Sequence, residues 1–315
     1  MNRLLHTRGN QLYLDDEPFL LLAGEIPYFR IHPTEWRARL ELARDFGLNT
    51  IQSYCPWNLH EPKKGIFDFE GMLDLGKFLA LCEEMGFYVL LRPSPYICGE
   101  WDFGGVPSWL VKGNHALLRS NDPIYLDAVR DYYREICKVF VPYLATNGGP
   151  IIAVAVENEY GTIANDRRYM NALRDIMADN GVDVPFFTTD VCAERGVRLG
   201  SVDGGIFHGI NFRAKPGEVA KARELHQSIQ PEKPFIVGEF WSGRSIHWGE
   251  PFSYRKPQDT VDSFRESLEL GAGVSFYIFS GGTNFGFMNG GVISLSHTPR
   301  PDTPILYITH CSSYE

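Results

Sequence analysis

GGPIIAVAVENEYG, residues 148–161, is the stretch on which the fold turns. Gly148-Gly149-Pro150 punctuates the chain, and six apolar residues follow, Ile151 to Val156. Such a run demands burial, yet it stops abruptly at Glu157-Asn158-Glu159. Carboxylates are seldom buried without a partner. Either the strand simply reaches water there, or its end displays groups that do chemistry. The segment alone leaves both readings open, and the flanking sequence has to choose.

Outward from this run, short β-rich apolar segments alternate with helical patterns. Strands are expected at 20–29, 48–57, 87–93, 151–161, in VPFFTTDVC, and at 205–212, 234–241 and 274–282. Between them, PTEWRARLELARDFG puts Trp36, Leu40, Ala43 and Phe46 on one helical face and stops at Gly47. The next helix aligns Leu75, Phe78, Leu79, Cys82 and Met85 before Gly86. Asp122 reads as an N-cap with Pro123 at the first helical position. Only the connection after the fifth strand reads as short or irregular. Parallel strands need crossover connections, so the fold class expected is α/β, an eight-stranded (β/α) TIM barrel. An open doubly wound sheet is the alternative, but no G-x-G-x-x-G follows the first strand. Residues 1–315 read as a single domain. A hairpin is expected at about 10–22, where Asp15-Asp16-Glu17-Pro18 supplies turn chemistry. An irregular tail is expected at about 288–315, where the eighth helix of a complete barrel would fall, so the last helix is expected to be missing.

Composition narrows the partners. The 315 residues carry a formal net charge of −9, with 44% hydrophobic and 22% charged residues. That balance argues against nucleic acid and anionic membranes. No apolar run approaches a membrane span, and the N-terminus lacks a signal-type core. Six scattered cysteines without a C-x-x-C fit a reducing, cytoplasmic setting and no zinc site. No metal or other cofactor is expected.

Polar and aromatic residues gather after the strands, in SYCPWNLHEP, RPSPYICGEWDFGG, ENEYG, GEFWSGRSIHW and SGGTNFG. Of six tryptophans only Trp36 falls in a helix; Trp57, Trp101, Trp109, Trp241 and Trp248 follow strand ends. Barrel active sites lie at those ends, and aromatic faces beside carboxylates and amides suit a sugar. Glycosidic cleavage needs two carboxyl groups on opposite faces of the ring. ENEYG and GEF supply such a pair from two strands, although a single glutamate is more often a structural ion-pair residue. Alternation along an extended strand turns Glu157 and Glu159 the same way and does not choose between them.

The stretches PYFR, SYCPWNLHEPKKGIFDF, RPSPYICGEWDFGGVPSWL, GGPIIAVAVENEYG, GEFWSG and GGTNFG closely resemble glycoside hydrolase family 35, the β-galactosidases, in the family's order. The resemblance implies a retaining hydrolase that releases terminal β-D-galactose from a galactoside or oligosaccharide through two glutamates. It makes Glu159 the acid/base and Glu239 the nucleophile, with Asn158 on the sugar 2-hydroxyl. Tyr54, Cys98, Gly99 and Glu100 are implied galactose contacts. Tyr277 resembles the tyrosine that hydrogen-bonds the nucleophile. Supporting roles fall to Glu157, to Trp241, and to Arg30 as an organiser of the carboxylates. The family pattern continues with a T-S-Y-D-Y-D-A-like segment, whose second tyrosine touches substrate, and a closing helix. Here the corresponding place is Ser312-Ser313-Tyr314-Glu315, with Tyr314 matching the first tyrosine. The apolar flank of the first, seventh and eighth strands is therefore expected to be exposed, lowering stability or promoting oligomers. The competing expectations are a galactose-binding barrel with little or no turnover, and the same mechanism on another β-glycoside such as a β-glucosaminide. A metal-dependent hydrolase finds only His60-Glu61, without a ligand set beside it.

Overall fold

The computed structural model describes residues 4–112, 117–243, 246–247, 254–293 and 307–311. In chain order its strands are β1 (Leu5–Arg8), β2 (Gln11–Leu14), β3 (Glu17–Pro18), β4 (Leu22–Glu25), β5 (Thr50–Tyr54), β6 (Tyr88–Arg92) and β7 (Ile151–Ala155). There follow β8 (Phe186–Val191), β9 (His208–Arg213), β10 (Ile236–Trp241), β11 (Ile246–His247), β12 (Gly273–Tyr277), β13 (Gly291–Ile293) and β14 (Tyr307–Cys311). Eight of these close a barrel in the order β10-β12-β4-β5-β6-β7-β8-β9. Every neighbouring pair runs parallel, including the closing pairs β9–β10 and β12–β4. The (β/α) barrel anticipated from the strand–helix rhythm is the fold observed, and the open-sheet alternative is ruled out.

Capping and burial explain the helices. The major ones are α1 (Trp36–Asp45), α3 (Leu75–Glu84), α5 (Pro123–Phe140), α7 (Arg167–Asp179), α9 (Glu218–Ile229) and α10 (Pro257–Glu269). Short turns α2 (Trp57–His60), α4 (Ser108–Val111), α6 (Tyr160–Ile163) and α8 (Glu194–Leu199) lie between them. Asp122 Oδ1 accepts from the Tyr125 backbone N–H at 3.0 Å, the N-cap expected of it. Such a cap contributes about 1 kcal/mol. Gly47 takes φ +93°, which only glycine adopts readily, and so ends α1. Of the predicted inner face of α3, Leu75, Phe78, Leu79 and Cys82 are fully buried, while Met85, at the C-cap, is only partly so.

Several expectations needed correction. The strands are shorter than the apolar runs: β7 stops at Ala155 and β4 at Glu25, where Pro27 leads into a 3-10 turn at Tyr28–Arg30. The N-terminal hairpin is a three-stranded antiparallel sheet, because β1 joins β2 and β3. The irregular connection after β8 contains α8. The flank expected to be bare is covered at strand level. Phe276 of β12 packs against Phe46, Phe240 and Phe264 at ring distances of 5.4, 5.3 and 5.0 Å and is buried. Exposure moves outward to Leu42 and Phe46, each more than half exposed. Past β12, the described residues form no helix; β13 pairs with β14, which also pairs with β11. Trp248 and the Ser312-Ser313-Tyr314-Glu315 stretch lie outside the described residues.

Candidate active site

At the C-terminal end of the barrel strands lies a cavity of about 270 Å³. It is lined by Tyr54, Cys98, Gly99, Glu100, Asn158, Glu159, Glu239, Trp241 and Tyr277, together with Arg213, Gly243 and Arg255. Each expected sugar contact lines it. Arg30 and Glu157, expected in support, stand behind the wall instead.

Glu239 sits near the end of β10 with both carboxyl oxygens engaged as acceptors. Tyr54 Oη donates to Oε1 at 2.8 Å and Trp241 Nε1 to Oε2 at 3.0 Å. Arg92, the last residue of β6, places Nη1 3.3 Å from Oε1 and is itself buried. A buried cation and two neutral donors thus converge on this one carboxyl group. The tyrosine on this carboxylate is therefore Tyr54. Tyr277 Oη donates to Glu100 Oε2 at 2.6 Å and meets the Tyr54 ring edge-on at 6.3 Å. Arg92 is also the arginine that organises the carboxylate. Arg30 donates to the carbonyls of Gly99 and Glu100, at 2.6 and 3.0 Å, and to Asn284 Oδ1. It thereby shapes the Cys98–Glu100 loop, in which Cys98 and Glu100 both have positive φ.

Beyond Ala155 the chain leaves the extended conformation, so strand alternation does not apply to the two ENEYG glutamates. Glu157 and Glu159 take φ +63° and +49°, in a region that non-glycine residues seldom enter. The turn separates them. Glu157 is buried and held bidentately by Arg119, Nε to Oε1 at 3.0 Å and Nη2 to Oε2 at 2.7 Å. Tyr169 Oη and the Asn158 backbone N–H also donate to it, at 2.8 and 2.6 Å. Arg119 Nη2 also donates to the Asn158 carbonyl at 2.6 Å. Asn158 is thus fixed at both ends of its peptide unit. Its Oδ1 accepts from Arg92 Nη2 at 2.6 Å, which leaves the amide nitrogen as the atom presented to the cavity.

Glu159 faces the cavity. Asn211 Nδ2, on β9, donates to its Oε1 at 2.8 Å. Burial, then the charge of Glu239, push its pKa up to about 8, against the Asn211 hydrogen bond. Near neutral pH it carries a proton. The backbone after it is anchored from β8: Asp190 accepts from Thr162 N–H at 3.0 Å, Thr162 Oγ1 at 3.1 Å and Gly161 N–H at 3.3 Å. This contact needs glycine opposite, since a Cβ on Gly200 would collide with Asp190 Oδ2. Burial pushes Asp190 up to about 7, with those same hydrogen bonds opposing it. Below the cavity, Glu25 of β4 is wholly buried, and both its oxygens lack a hydrogen-bond partner. Burial raises its pKa well above the carboxylate range.

The tryptophans prove mainly structural. Trp57 is fully buried, stacks on Tyr132 at 4.9 Å and donates to Glu61 Oε2 at 2.6 Å. Trp109 donates to the Glu61 carbonyl, and Trp101 lies under the Arg30 guanidinium at 4.9 Å. Trp241 alone among the described tryptophans lines the cavity. His60 bonds the Tyr28 hydroxyl and the Asp68 carbonyl, at 2.5 and 2.8 Å, which makes it part of the scaffold.

Comparison with known proteins bears on the family and the fold. The chain is 40% identical over 294 residues to a β-galactosidase of Felis catus, covering 93% of this chain and 43% of that protein. It is 40% identical over 284 residues to a β-galactosidase of Xanthomonas manihotis, covering 90% and 47%. The chain therefore spans less than half the length of these curated relatives. Among solved structures, the exo-β-1,4-mannosidase Op5Man5 from Opitutaceae bacterium strain TAV5 superposes with a TM-score of 0.62 at 16% identity, covering 87% of this chain and 53% of that one. Endo-glycoceramidase II from Rhodococcus sp. does so with 0.55 at 16%, covering 86% and 75%. At such identity these two similarities speak for the barrel alone. Residues 11–310 match the model of glycosyl hydrolases family 35, and the chain belongs to that family.

Proposed function

We propose that this chain carries out retaining hydrolysis of terminal β-D-galactosides, with Glu239 as nucleophile and Glu159 as acid/base. One observation carries the reading: a buried glutamate whose pKa is pushed up and a glutamate with both oxygens held as acceptors line the same cavity. Glu239 attacks the anomeric carbon while Glu159 delivers its proton to the departing oxygen, giving a glycosyl ester on Glu239 and free aglycone. Glu159, now a carboxylate, takes a proton from water as that water attacks the same carbon. Galactose is released with its β configuration, and Glu159 regains its proton. The Asn158 amide nitrogen, aimed by Arg92, suits a hydrogen bond to the sugar 2-hydroxyl. Glu100, oriented by Tyr277, suits further hydroxyls. The choice of galactose rests on the family and on the names of the relatives.

A panel of nitrophenyl glycosides tests this, with the first-formed anomer followed by NMR. Hydrolysis of the β-galactoside with β-galactose appearing first is the expected result. Galactose binding without turnover, preference for a glucosaminide, or α-galactose as first product would each sink it.

A further inference from the structure

The cavity has an outer half that the two glutamates leave unexplained. Its residues lie farther along their strands than the acids do. Arg213 ends β9, two residues past Asn211, whose amide holds Glu159. Two residues along a pleated strand return to the same face about 6.6 Å onward, so Arg213 stands one side-chain layer outside the acid/base. Arg213 is in register with Trp241, two residues beyond Glu239 on β10. Trp241 in turn anchors a second cation, because Arg255 Nη1 donates to its carbonyl at 2.6 Å. Gly243 completes this rim. The charges in the cavity are therefore segregated, with Glu100, Glu159 and Glu239 inside and Arg213 and Arg255 outside.

Arg213 is exposed, and its guanidinium makes no hydrogen bond or ion pair among the described residues. Glu218, which follows on the next helix, is taken up by Lys215 at 3.5 Å. Among the described residues, this solvated arginine on a cavity wall has no structural partner to explain it. Its fork of donors matches a carboxylate or sulfate, and the Trp241 ring beside it offers an apolar face.

We propose that the outer half of the cavity is a leaving-group subsite for an anionic aglycone, a sugar acid or sulfated sugar whose charge meets Arg213. This rests on the glycosidase reading above. An exo-acting site holds the terminal sugar among the inner acids, and Glu159 must reach the bridging oxygen. The group beyond that oxygen then lies one layer outward, beside Arg213 and the Trp241 ring.

The test compares lactobionate with lactitol, galactosides whose aglycones differ in carrying a carboxylate or a neutral alcohol. Wild type should show a kcat/KM ratio favouring lactobionate by about two- to fivefold at low ionic strength, the range one partly exposed ion pair supplies. The ratio should fall towards one in 0.5 M salt and in Arg213→Gln. Dissociation constants for the same pair, measured by calorimetry on Glu239→Gln, should follow the same order. A ratio at or below one in wild type, or one that Arg213→Gln leaves unchanged, overturns the subsite while lactitol hydrolysis keeps the galactosidase reading intact. If the glycone is glucose instead, galactosidase activity fails but cellobionate against cellobiitol reads the same preference. A chain that binds no member of either pair overturns both.

Discussion

Position of a carboxyl group decides its role here more than its identity does. Glu157 and Glu159 are two residues apart, yet one is locked to Arg119 and the other carries a proton into the cavity. In the proposed mechanism Glu159 acts first as an acid, so activity should fall as pH rises through about 8. Replacing it with alanine should cost about 10²- to 10⁴-fold in kcat on alkyl galactosides and far less on dinitrophenyl galactoside, whose leaving group needs no proton. Equal losses on both substrates would remove Glu159 from that role. Asp190 positions Glu159 through the turn that follows it, and its charge helps to raise the Glu159 pKa. Asp190→Asn should therefore move the alkaline limb to lower pH as well as reduce kcat; an unmoved limb would mean that Asp190 only packs. The glutamates, Asn158 and the sugar-facing loop were legible because they sit in long motifs after apolar runs. Arg92, Asp190 and Asn211 were passed over as single polar residues inside or closing a strand. Their signal was present in FYVLLR, FFTTD and GINF: a polar residue that ends or interrupts a buried strand at the mouth of a barrel. Nothing local says which partner such a residue meets across the barrel.

Elements hand the site its strain. Among the described residues, six of the seven non-glycine positions with positive φ lie in the segments after β6 and β7, from Cys98 to Glu159. Each costs on the order of 1 kcal/mol or more and persists only where neighbours enforce it. Arg119 is the enforcing group after β7: it grips Glu157 and the Asn158 carbonyl at once. Arg119→Ala would leave Glu157 buried without its cation, so stability should drop by about 3–5 kcal/mol in urea unfolding. The surviving enzyme should also lose its discrimination against 2-deoxygalactosides, because Asn158 is no longer fixed. Loss of stability with that discrimination intact would show that Arg119 serves folding alone. Helix faces and caps could largely be read from sequence, since Trp36, Leu40, Ala43 and Asp122 obey local rules, whereas Phe46, placed on the same face, is exposed. Strand ends could not. An apolar run continues past the end of the strand wherever the next residues stay buried, as Ile26 and Val156 do.

Across the whole molecule, a formal charge of −9 coexists with a barrel interior that stores protons. Burial pushes Glu159 up to about 8 and Asp190 up to about 7, and raises Glu25 well above its ordinary range. Each of these acids binds its proton more tightly folded than unfolded. Between the unfolded and folded pKa the native state holds more protons, so stability falls as pH rises through that window. Three buried histidines oppose this at lower pH, His226 among them, its pKa lowered by burial. His60 and His208 are pushed down to about 4 by burial, so their contribution rises with pH between about 4 and 6.5 and is complete above it. Above pH 6.5 only the acids remain to act. Tm should therefore decline between pH 6.5 and 8, on the order of 5 °C, since each retained proton is worth about 1.4 kcal/mol per pH unit. Growing net negative charge would act in the same direction, and a variant separates the two causes. Glu159→Gln combined with Asp190→Asn removes two of the stored protons while leaving the surface charge untouched, so its Tm should vary less over that window. Calorimetric scans of both proteins at pH 6.5, 7.25 and 8 decide the matter: parallel curves would assign the pH dependence to the surface, and a wild-type Tm that climbs with pH would contradict proton storage in the barrel.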